Sequence, residues 1–241
     1  MLTLPTYQVF PLGDSAITLD FGNLIDEKLN RLVIDLFHSL KEKPIPGMIE
    51  AVPAYSSITI YYGIHELTRQ APNAKNISSW VEVQLKERLE MLTKQEQAEG
   101  ALVEIPVCYD EEFGMDLKEI AKEKNLTTAE IQQKHCSVIY RVYLLGFLPG
   151  FPYMGGLDEK LEMPRRKQPR QRLEAGSVGI AGKQTGIYPL ASPGGWQIIG
   201  RTPLALFNIN NKTPTLLSAG DRVRFYPINK HEYKSYQSRT A

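Results

Sequence analysis

Residues 138–144 read Val-Ile-Tyr-Arg-Val-Tyr-Leu, so that apolar side chains recur at every second position along one face. This alternation predicts a half-buried β-strand. The strand leads into the segment Leu145–Pro203, which holds 11 of the 18 glycines and 7 of the 16 prolines of the chain. Short strands separated by glycine turns are typical of a closed β-barrel. We therefore predict a barrel in the C-terminal half.

The sequence on either side of this stretch predicts further elements of the same half. Val103, Ile105 and Val107 alternate as in a strand, and a helix is expected through Asp116 to Lys124. Thr127 and Glu130 have the spacing of a capping box at the start of another helix. After the glycine-rich segment we expect a strand over Ala205 to Ile209 and a hairpin turn at Gly220-Asp221.

The N-terminal half has mixed α and β patterns. Strands are predicted at Ala16 to Phe21 and Ser57 to Tyr62, a helix is predicted to begin after Asp26, and a second helix begins near Ser78. The polar run 93–100 (TKQEQAEG) has no apolar periodicity and is predicted to be a linker. The expected fold is α+β with two domains, residues 1–95 and residues 101–241.

Composition excludes several classes of protein. The 241 residues have a net charge of +1, which provides no overall field for binding nucleic acid. No apolar run is long enough for a membrane helix, and the N-terminus has no signal-peptide pattern. Cys108 and Cys136 form no CxxC motif and are expected to be reduced thiols. We therefore expect a cytoplasmic protein without nucleic-acid or membrane partners.

Common catalytic motifs are absent. Gly176–Gln184 resembles a phosphate-binding loop, but position 177 is Ser instead of Gly, and Gln184 stands where a magnesium-binding Ser or Thr is required. The segment is therefore interpreted as a glycine-rich barrel strand. The four histidines have no metal-ligand spacing, and no GxSxG or HExxH motif occurs. No metal site is expected.

The segment Met163–Arg172, which we call the basic loop, reads MPRRKQPRQR and has five cations and no acid. Its two prolines stiffen the backbone, and arginine has a planar group that fits carboxylate or phosphate. One interpretation is an anion site for a small acid or an acidic partner surface. The alternative is a solvated loop with local ion pairs.

Aromatic residues and one histidine accompany this loop in the sequence. Tyr188 and Trp196 lie in glycine- and proline-rich turns and are typical of binding pockets, but aromatic residues of a barrel rim can equally fill its core. His135 precedes the strand at 138–144. It is interpreted either as a catalytic group or as a structural hydrogen-bond partner.

Several motifs together resemble the allophanate hydrolase subunit 1 family. They are Pro11–Ala16, Pro53–Ser57, His135 with Tyr140–Val142, Gly146–Met154, Pro164–Arg166, Ala175–Val178, Gly182–Pro189, Ser192–Trp196, Gly200–Pro203 and Gly220–Phe225. The resemblance covers nearly the whole chain. It implies an N-terminal α/β domain and a C-terminal cyclophilin-like β-barrel.

The resemblance also implies activity within a complex. Two further subunits are expected, one of them cyclophilin-like, and together they would open 5-oxoproline to glutamate with ATP. A lactam carbonyl is a poor electrophile, and phosphorylation of its oxygen would activate it for attack by water. Because this chain has no phosphate-binding loop, most ATP-binding groups are expected in a partner, and the chain alone is expected to be inactive.

On this basis we expect two sets of site residues. The catalytic set comprises His135, Arg165, Arg170, Gln184 and Tyr188. The set that binds substrate or partner comprises Phe147, Phe151, Tyr153, Arg166, Thr185, Trp196 and Arg201.

Two alternatives remain open. The same basic and aromatic surface could bind a sporulation histidine kinase and inhibit its autophosphorylation. The chain could also be a carboxyltransferase-like subunit of urea or allophanate metabolism, although it has no biotin-attachment region and would need a separate carrier.

Overall fold

The computed structural model describes residues 4–70, 76–92 and 99–240 and divides into two compact units, Met1–Glu99 and Gly100–Ala241. Each unit is described by itself. The predicted linker falls largely on residues 93–98, which lie outside the described part of the chain.

The first unit contains a four-stranded antiparallel sheet and three helices. The sheet has the order β1-β2-β4-β3. Its elements in chain order are β1 Gln8–Pro11, β2 Ala16–Asp20, α1 Glu27–Glu42, β3 Met48–Pro53, β4 Ser57–Tyr62, α2 Ile64–Gln70 and α3 Ile77–Leu92. The predicted strands and helices of this half are all present, whereas β1, β3 and α2 were not predicted.

Helix α1 shows how the sequence fixes this unit. The side chain of Asp26 accepts a hydrogen bond from the backbone of Leu29 at 3.0 Å and so satisfies a free N–H group at the start of the helix. Leu36 and Leu40 are fully buried in the core between the helices and the sheet. The predicted helix start and apolar face are therefore confirmed.

The second unit is built on a closed seven-stranded barrel, so the chain is a mixed α/β protein with a barrel. The barrel order is β10-β7-β6-β13-β5-β12-β9, with a separate pair β11-β8. The elements are β5 Leu102–Cys108, α4 Leu117–Lys124, α5 Thr128–Cys136, β6 Ile139–Leu145, β7 Pro152–Gly155, β8 Arg170–Leu173, β9 Ser177–Ala181, β10 Gln184–Ile187, β11 Ser192–Gly194, β12 Gln197–Arg201, β13 Arg222–Ile228 and α6 Lys230–Thr240.

Two local predictions in this unit are confirmed. The Thr127 hydroxyl accepts a hydrogen bond from the backbone of Glu130 at 3.1 Å, and the Glu130 carboxylate accepts one from the backbone of Thr127 at 2.7 Å. The Gly176–Gln184 segment forms strand β9 and the turn into β10. Gly182 occupies this turn with φ of 55°, a left-handed conformation that favours glycine.

The predictions for residues 205–221 are wrong. Ala205 to Ile209 form no strand, and only an isolated bridge joins Phe207 to Thr215. The Asn208 side chain accepts a hydrogen bond from the backbone of Asn210 at 3.0 Å, a local turn that ends the extended run. Gly220-Asp221 does not form a hairpin either, because β13 pairs in parallel with β5 and antiparallel with β6.

Candidate functional site

Five aromatic side chains form one contiguous group beside the barrel, which we call the aromatic cluster. Its members are Phe147, Phe151, Tyr153, Tyr188 and Trp196. Phe151 is central: its ring lies 4.8 Å from that of Tyr153, 5.1 Å from that of Tyr188 and 5.4 Å from that of Trp196. The tilted and edge-to-face arrangements are those that aromatic rings prefer.

Burial divides this cluster into two parts. Phe151, Tyr188 and Trp196 are buried and fill a small core together with Leu173. For these three residues the interpretation as core-filling aromatics applies. Tyr153 is half-buried and Phe147 is exposed, so these two rings form the accessible part of the cluster.

Phe147 has an unusual backbone conformation. Its φ is 67°, in the left-handed region that non-glycine residues seldom adopt, and its side chain is 64% exposed. Hydrogen bonds from Gly146 N–H to the Phe151 carbonyl (3.1 Å) and from Leu148 N–H to the Gly146 carbonyl (2.8 Å) close the loop. The loop therefore holds an apolar ring toward solvent at a cost in backbone strain, which is a feature of binding sites.

Tyr188 is fixed by the turn that follows strand β11. Its phenol oxygen accepts a hydrogen bond from the Trp196 backbone and lies against Gly194, where a Cβ atom would collide with it. Burial raises the pKa of Tyr188, and the positive charges of Arg165 and Arg170 partly oppose this rise. The positive charges of the basic loop thus partly offset the effect of burial on Tyr188.

The structure corrects the interpretation of two predicted arginines. Arg170 binds Asp116 through two hydrogen bonds, at 2.6 and 2.9 Å, and Arg166 binds the same carboxylate at 2.8 Å. Asp116 is buried and also accepts a hydrogen bond from the backbone of Ile198 at 2.6 Å. The guanidinium groups of Arg166 and Arg170 are therefore largely occupied by an acid of the same chain.

Asp116 was not among the residues predicted for the site. It was interpreted only as the start of helix α4, and it does stand at the N-cap position, yet its side chain caps no backbone N–H of that helix. Its carboxylate instead fixes the basic loop to strand β12. An aspartate at a cap position gives no local signal for such a contact, because its partners are 50 and 54 residues away in the sequence.

Arg165 differs from its neighbours. Its side chain is exposed and, among the residues that the structure describes, makes no hydrogen bond or ion pair. Burial raises the pKa of Tyr153 and of Tyr188, and the positive charge of Arg165 partly opposes both rises.

His135 lies inside the barrel and not at its surface. The ring is fully buried and stacks on Phe225 with centroids 4.5 Å apart. Because the Thr185 hydroxyl donates to the Gly179 carbonyl, it accepts from Nε2–H of His135 at 2.9 Å, and Nδ1 accepts from Tyr109 at 2.7 Å. Burial lowers the pKa of His135 to about 3.

The expectation that His135 and Thr185 contact a substrate is therefore corrected. Both side chains are fully buried, and their polar atoms pair with each other and with groups of the barrel core. His135 is a structural hydrogen-bond partner, the alternative that the sequence left open.

The two remaining predicted residues have different surroundings. Gln184 is half-buried at the start of β10, opposite Gly155 of β7, the strand that also carries Tyr153. Arg201 instead donates to the carbonyl of Ala175 at 3.1 Å and lies 3.9 Å from the carboxylate of Glu174. The contacts of Arg201 are thus separate from those of the aromatic cluster.

Comparison with known proteins gives the family. Residues 7–217 match the carboxyltransferase domain family, subdomain C and D. The chain belongs to this family. It is 45% identical to the 5-oxoprolinase B-subunit of Bacillus subtilis over 96% of this chain and 97% of that protein. It is 38% identical to the 5-oxoprolinase B-subunit of Escherichia coli O157:H7 over 90% of this chain and 94% of that protein.

A solved structure supports the same assignment. The crystal structure of TTHA0988 superposes with a TM-score of 0.74 at 38% sequence identity and covers 89% of this chain. This chain spans 40% of the length of the TTHA0988 chain. The family resemblance stated from the sequence is confirmed.

The described residues, 4–70, 76–92 and 99–240, contain neither a metal-binding cluster nor a membrane-spanning helix. Within them, no three His, Cys, Asp or Glu side chains lie close enough to hold a metal ion together. No helix in that part of the chain has the length and apolar character needed to cross a bilayer. The candidate site comprises the aromatic cluster, the Asp116-bound arginines and Arg165.

Proposed function

We propose that this chain is the B-subunit of an ATP-dependent 5-oxoprolinase, a complex that converts 5-oxo-L-proline to L-glutamate. The single observation that carries the proposal is the 45% identity to a 5-oxoprolinase B-subunit over nearly the full length of both proteins. The accessible rings of the aromatic cluster beside a basic loop support the same role. The second unit would be a cyclophilin-like domain, joined by the linker to the α/β domain.

The reaction explains why such a subunit would work only in a complex. In the proposed step the lactam oxygen attacks the γ-phosphorus of ATP and releases ADP. Water then adds to the carbonyl carbon, and the ring C–N bond breaks to leave the free amine and an acyl phosphate. A second water cleaves the acyl phosphate to give glutamate and phosphate. Phosphoryl transfer needs groups that hold the phosphates. The glycine-rich segment of this chain is a β-hairpin and not a loop before a helix, so it does not suit that task. The partners would supply most ATP-binding groups.

This chain would contribute positively charged side chains and an aromatic surface to the reaction. The Asp116 carboxylate fixes Arg166 and Arg170, and Arg165 remains exposed beside the aromatic cluster. The three arginines exceed the single buried carboxylate in charge, and positive charge held beside a reacting group stabilises negative charge that develops there. This subunit would therefore complete a site shared with the two other subunits, in the cytoplasm.

Reconstitution tests the proposal. The chain is purified and mixed with the two other presumptive subunits of the same source, and glutamate release from 5-oxoproline is measured with and without ATP. We expect release only when all three subunits and ATP are present. A complete mixture that assembles but releases no glutamate would contradict the proposal.

The two rival functions give different results in the same preparation. A regulatory protein would inhibit histidine kinase autophosphorylation as the isolated chain, without the other subunits. A carboxyltransferase subunit would require a biotin carrier and would transfer a carboxyl group to urea. Neither activity is expected if the chain is a 5-oxoprolinase subunit.

A further inference from the structure

The backbone around Arg165 is anchored on both sides. The carbonyl of Met163 accepts a hydrogen bond from Gly182 N–H at 2.6 Å, and the carbonyl of Pro164 accepts one from the side chain of Gln197 at 3.1 Å. On the other side, Arg166 N–H donates to the carbonyl of Gly195 at 2.7 Å. Arg165 thus projects from a fixed backbone, and binding a ligand would order only its side chain.

The charge at this position is not balanced by a neighbour. Arg166 and Arg170 share Asp116, and Arg166 also lies 3.5 Å from Glu119. Arg165 has no acidic partner within the described residues and remains exposed. An exposed guanidinium group on a fixed backbone and without a carboxylate is suited to bind one from outside the chain, because its planar fork matches the two oxygens.

An apolar surface lies next to this cation. The residue after Arg165 donates its backbone N–H to the carbonyl of Gly195, which precedes Trp196, and the Trp196 ring lies 5.8 Å from that of Tyr153. The exposed ring of Phe147 lies edge-to-face on Phe151 at 5.8 Å and on Tyr188 at 6.5 Å. A ligand with one carboxylate and a small ring that has an apolar CH2 edge would match both halves of the site. 5-Oxoproline is a five-membered lactam with one carboxylate.

We propose that Arg165 binds the substrate carboxylate and that Phe147 and Tyr153 contact its ring. This inference rests on the proposed function and identifies the group in this chain that recognises the acid. The alternative occupant, an acidic segment of another subunit, is an outcome of the test.

The test uses the reconstituted complex with wild-type chain and with Arg165→Ala, Arg165→Lys and Arg172→Ala. Arg172 is the matched control, because it is an exposed arginine whose charge pairs with Glu174. The assays measure KM for 5-oxoproline and the inhibition constant of 2-pyrrolidinone, the same lactam without a carboxylate. Assembly of the complex is measured by gel filtration.

We expect Arg165→Ala to raise KM for 5-oxoproline roughly 10- to 100-fold, the effect of losing one charge-assisted pair. The KM of Arg165→Lys should lie between those of Arg165→Ala and wild type, because lysine keeps the charge but lacks the planar guanidinium group. For the Arg165 variants, the inhibition constant of 2-pyrrolidinone and the assembly of the complex should match wild type. Arg172→Ala should match wild type in all three measurements.

Three results would overturn the inference. The first is an unchanged KM with normal assembly in Arg165→Ala. The second is an equal loss of affinity for 5-oxoproline and for 2-pyrrolidinone. The third is weakened assembly with an unchanged KM, which would assign Arg165 to an interface between subunits. A wild-type complex without activity would instead contradict the proposed function itself, so the two failures are distinguishable.

Discussion

Arg170 and Asp116 form a two-hydrogen-bond pair, with nitrogen–oxygen distances of 2.6 and 2.9 Å, that ties the start of strand β8 to the start of helix α4. The carboxylate is buried, whereas the arginine side chain is about a quarter exposed, at 24%. The pair fixes the basic loop from inside the unit. The Asp116 carboxylate also cancels part of the positive charge of the basic loop, which itself contains five cations and no acid.

Replacing this carboxylate should destabilise the protein. In Asp116→Asn the two guanidinium groups lose their counter-charge, and the hydrogen bonds to them weaken. We expect the free energy of unfolding to fall by about 2–4 kcal/mol, since removing one partner of a buried pair leaves the other uncompensated. Urea titration of the purified chain measures this.

Glu119→Gln is the matched control. Glu119 is exposed and lies 3.5 Å from the same Arg166, so its loss should change stability by less than about 1 kcal/mol. If the two variants lose equal stability, Asp116 does not have the structural role described above.

The buried imidazole of His135 should make stability depend on pH. Its pKa is lowered from 6.5 to about 3 in the folded chain, so between these values the unfolded state binds the extra proton. Stability from this group is therefore complete above pH 6.5 and is lost as the pH falls toward 3, by at most about 1.4 kcal/mol per pH unit.

His135→Gln isolates this contribution. A glutamine side chain can accept from Tyr109 and donate to Thr185 as the imidazole does, but it does not titrate. The free energy of unfolding is measured by denaturant titration at pH 7.5 and at pH 4.5. Its decrease between the two pH values should be about 2–3 kcal/mol smaller for the variant than for wild type. Equal losses would mean that the ring becomes protonated without cost in the folded protein.

Close packing at Gly186 should tolerate no side chain. A Cβ atom there would lie 2.9 Å from Phe151 Cζ, 2.9 Å from the Pro152 carbonyl and 3.0 Å from Trp196 Cζ3. Gly186→Ala should therefore cost about 1–3 kcal/mol of stability and disturb the aromatic cluster, as read from thermal unfolding and tryptophan fluorescence.

At Gly195 the first contact of an added Cβ would be an ordinary 3.7 Å, so Gly195→Ala serves as the comparison. It should leave the melting temperature and the emission spectrum close to wild type. A larger effect at Gly195 than at Gly186 would contradict the packing described for the cluster.

Local patterns in the sequence predicted helices and strands correctly more often than they predicted contacts between distant residues. The strand at Ser57–Tyr62, the cap at Asp26 and the capping box at Thr127 follow from residues a few positions apart, and all three are present. The Asp116 pair could not be predicted in this way, because it joins residues 54 positions apart that only the closed barrel brings together.

The candidate site was predicted in part. The basic loop and the aromatic residues lie next to one another, since Arg166 N–H donates to the carbonyl of Gly195, the residue before Trp196. The sequence could not distinguish an exposed Arg165 from an Arg170 bound inside the unit, because both are arginines next to a proline in one short loop. Burial depends on which side of the folded loop each side chain takes.

The most direct test of the central claim is the rate of glutamate release from 5-oxoproline and ATP by the two other subunits, measured before and after this chain is added. The account predicts no detectable release before addition and sustained release afterwards. Equal rates in the two measurements would contradict it.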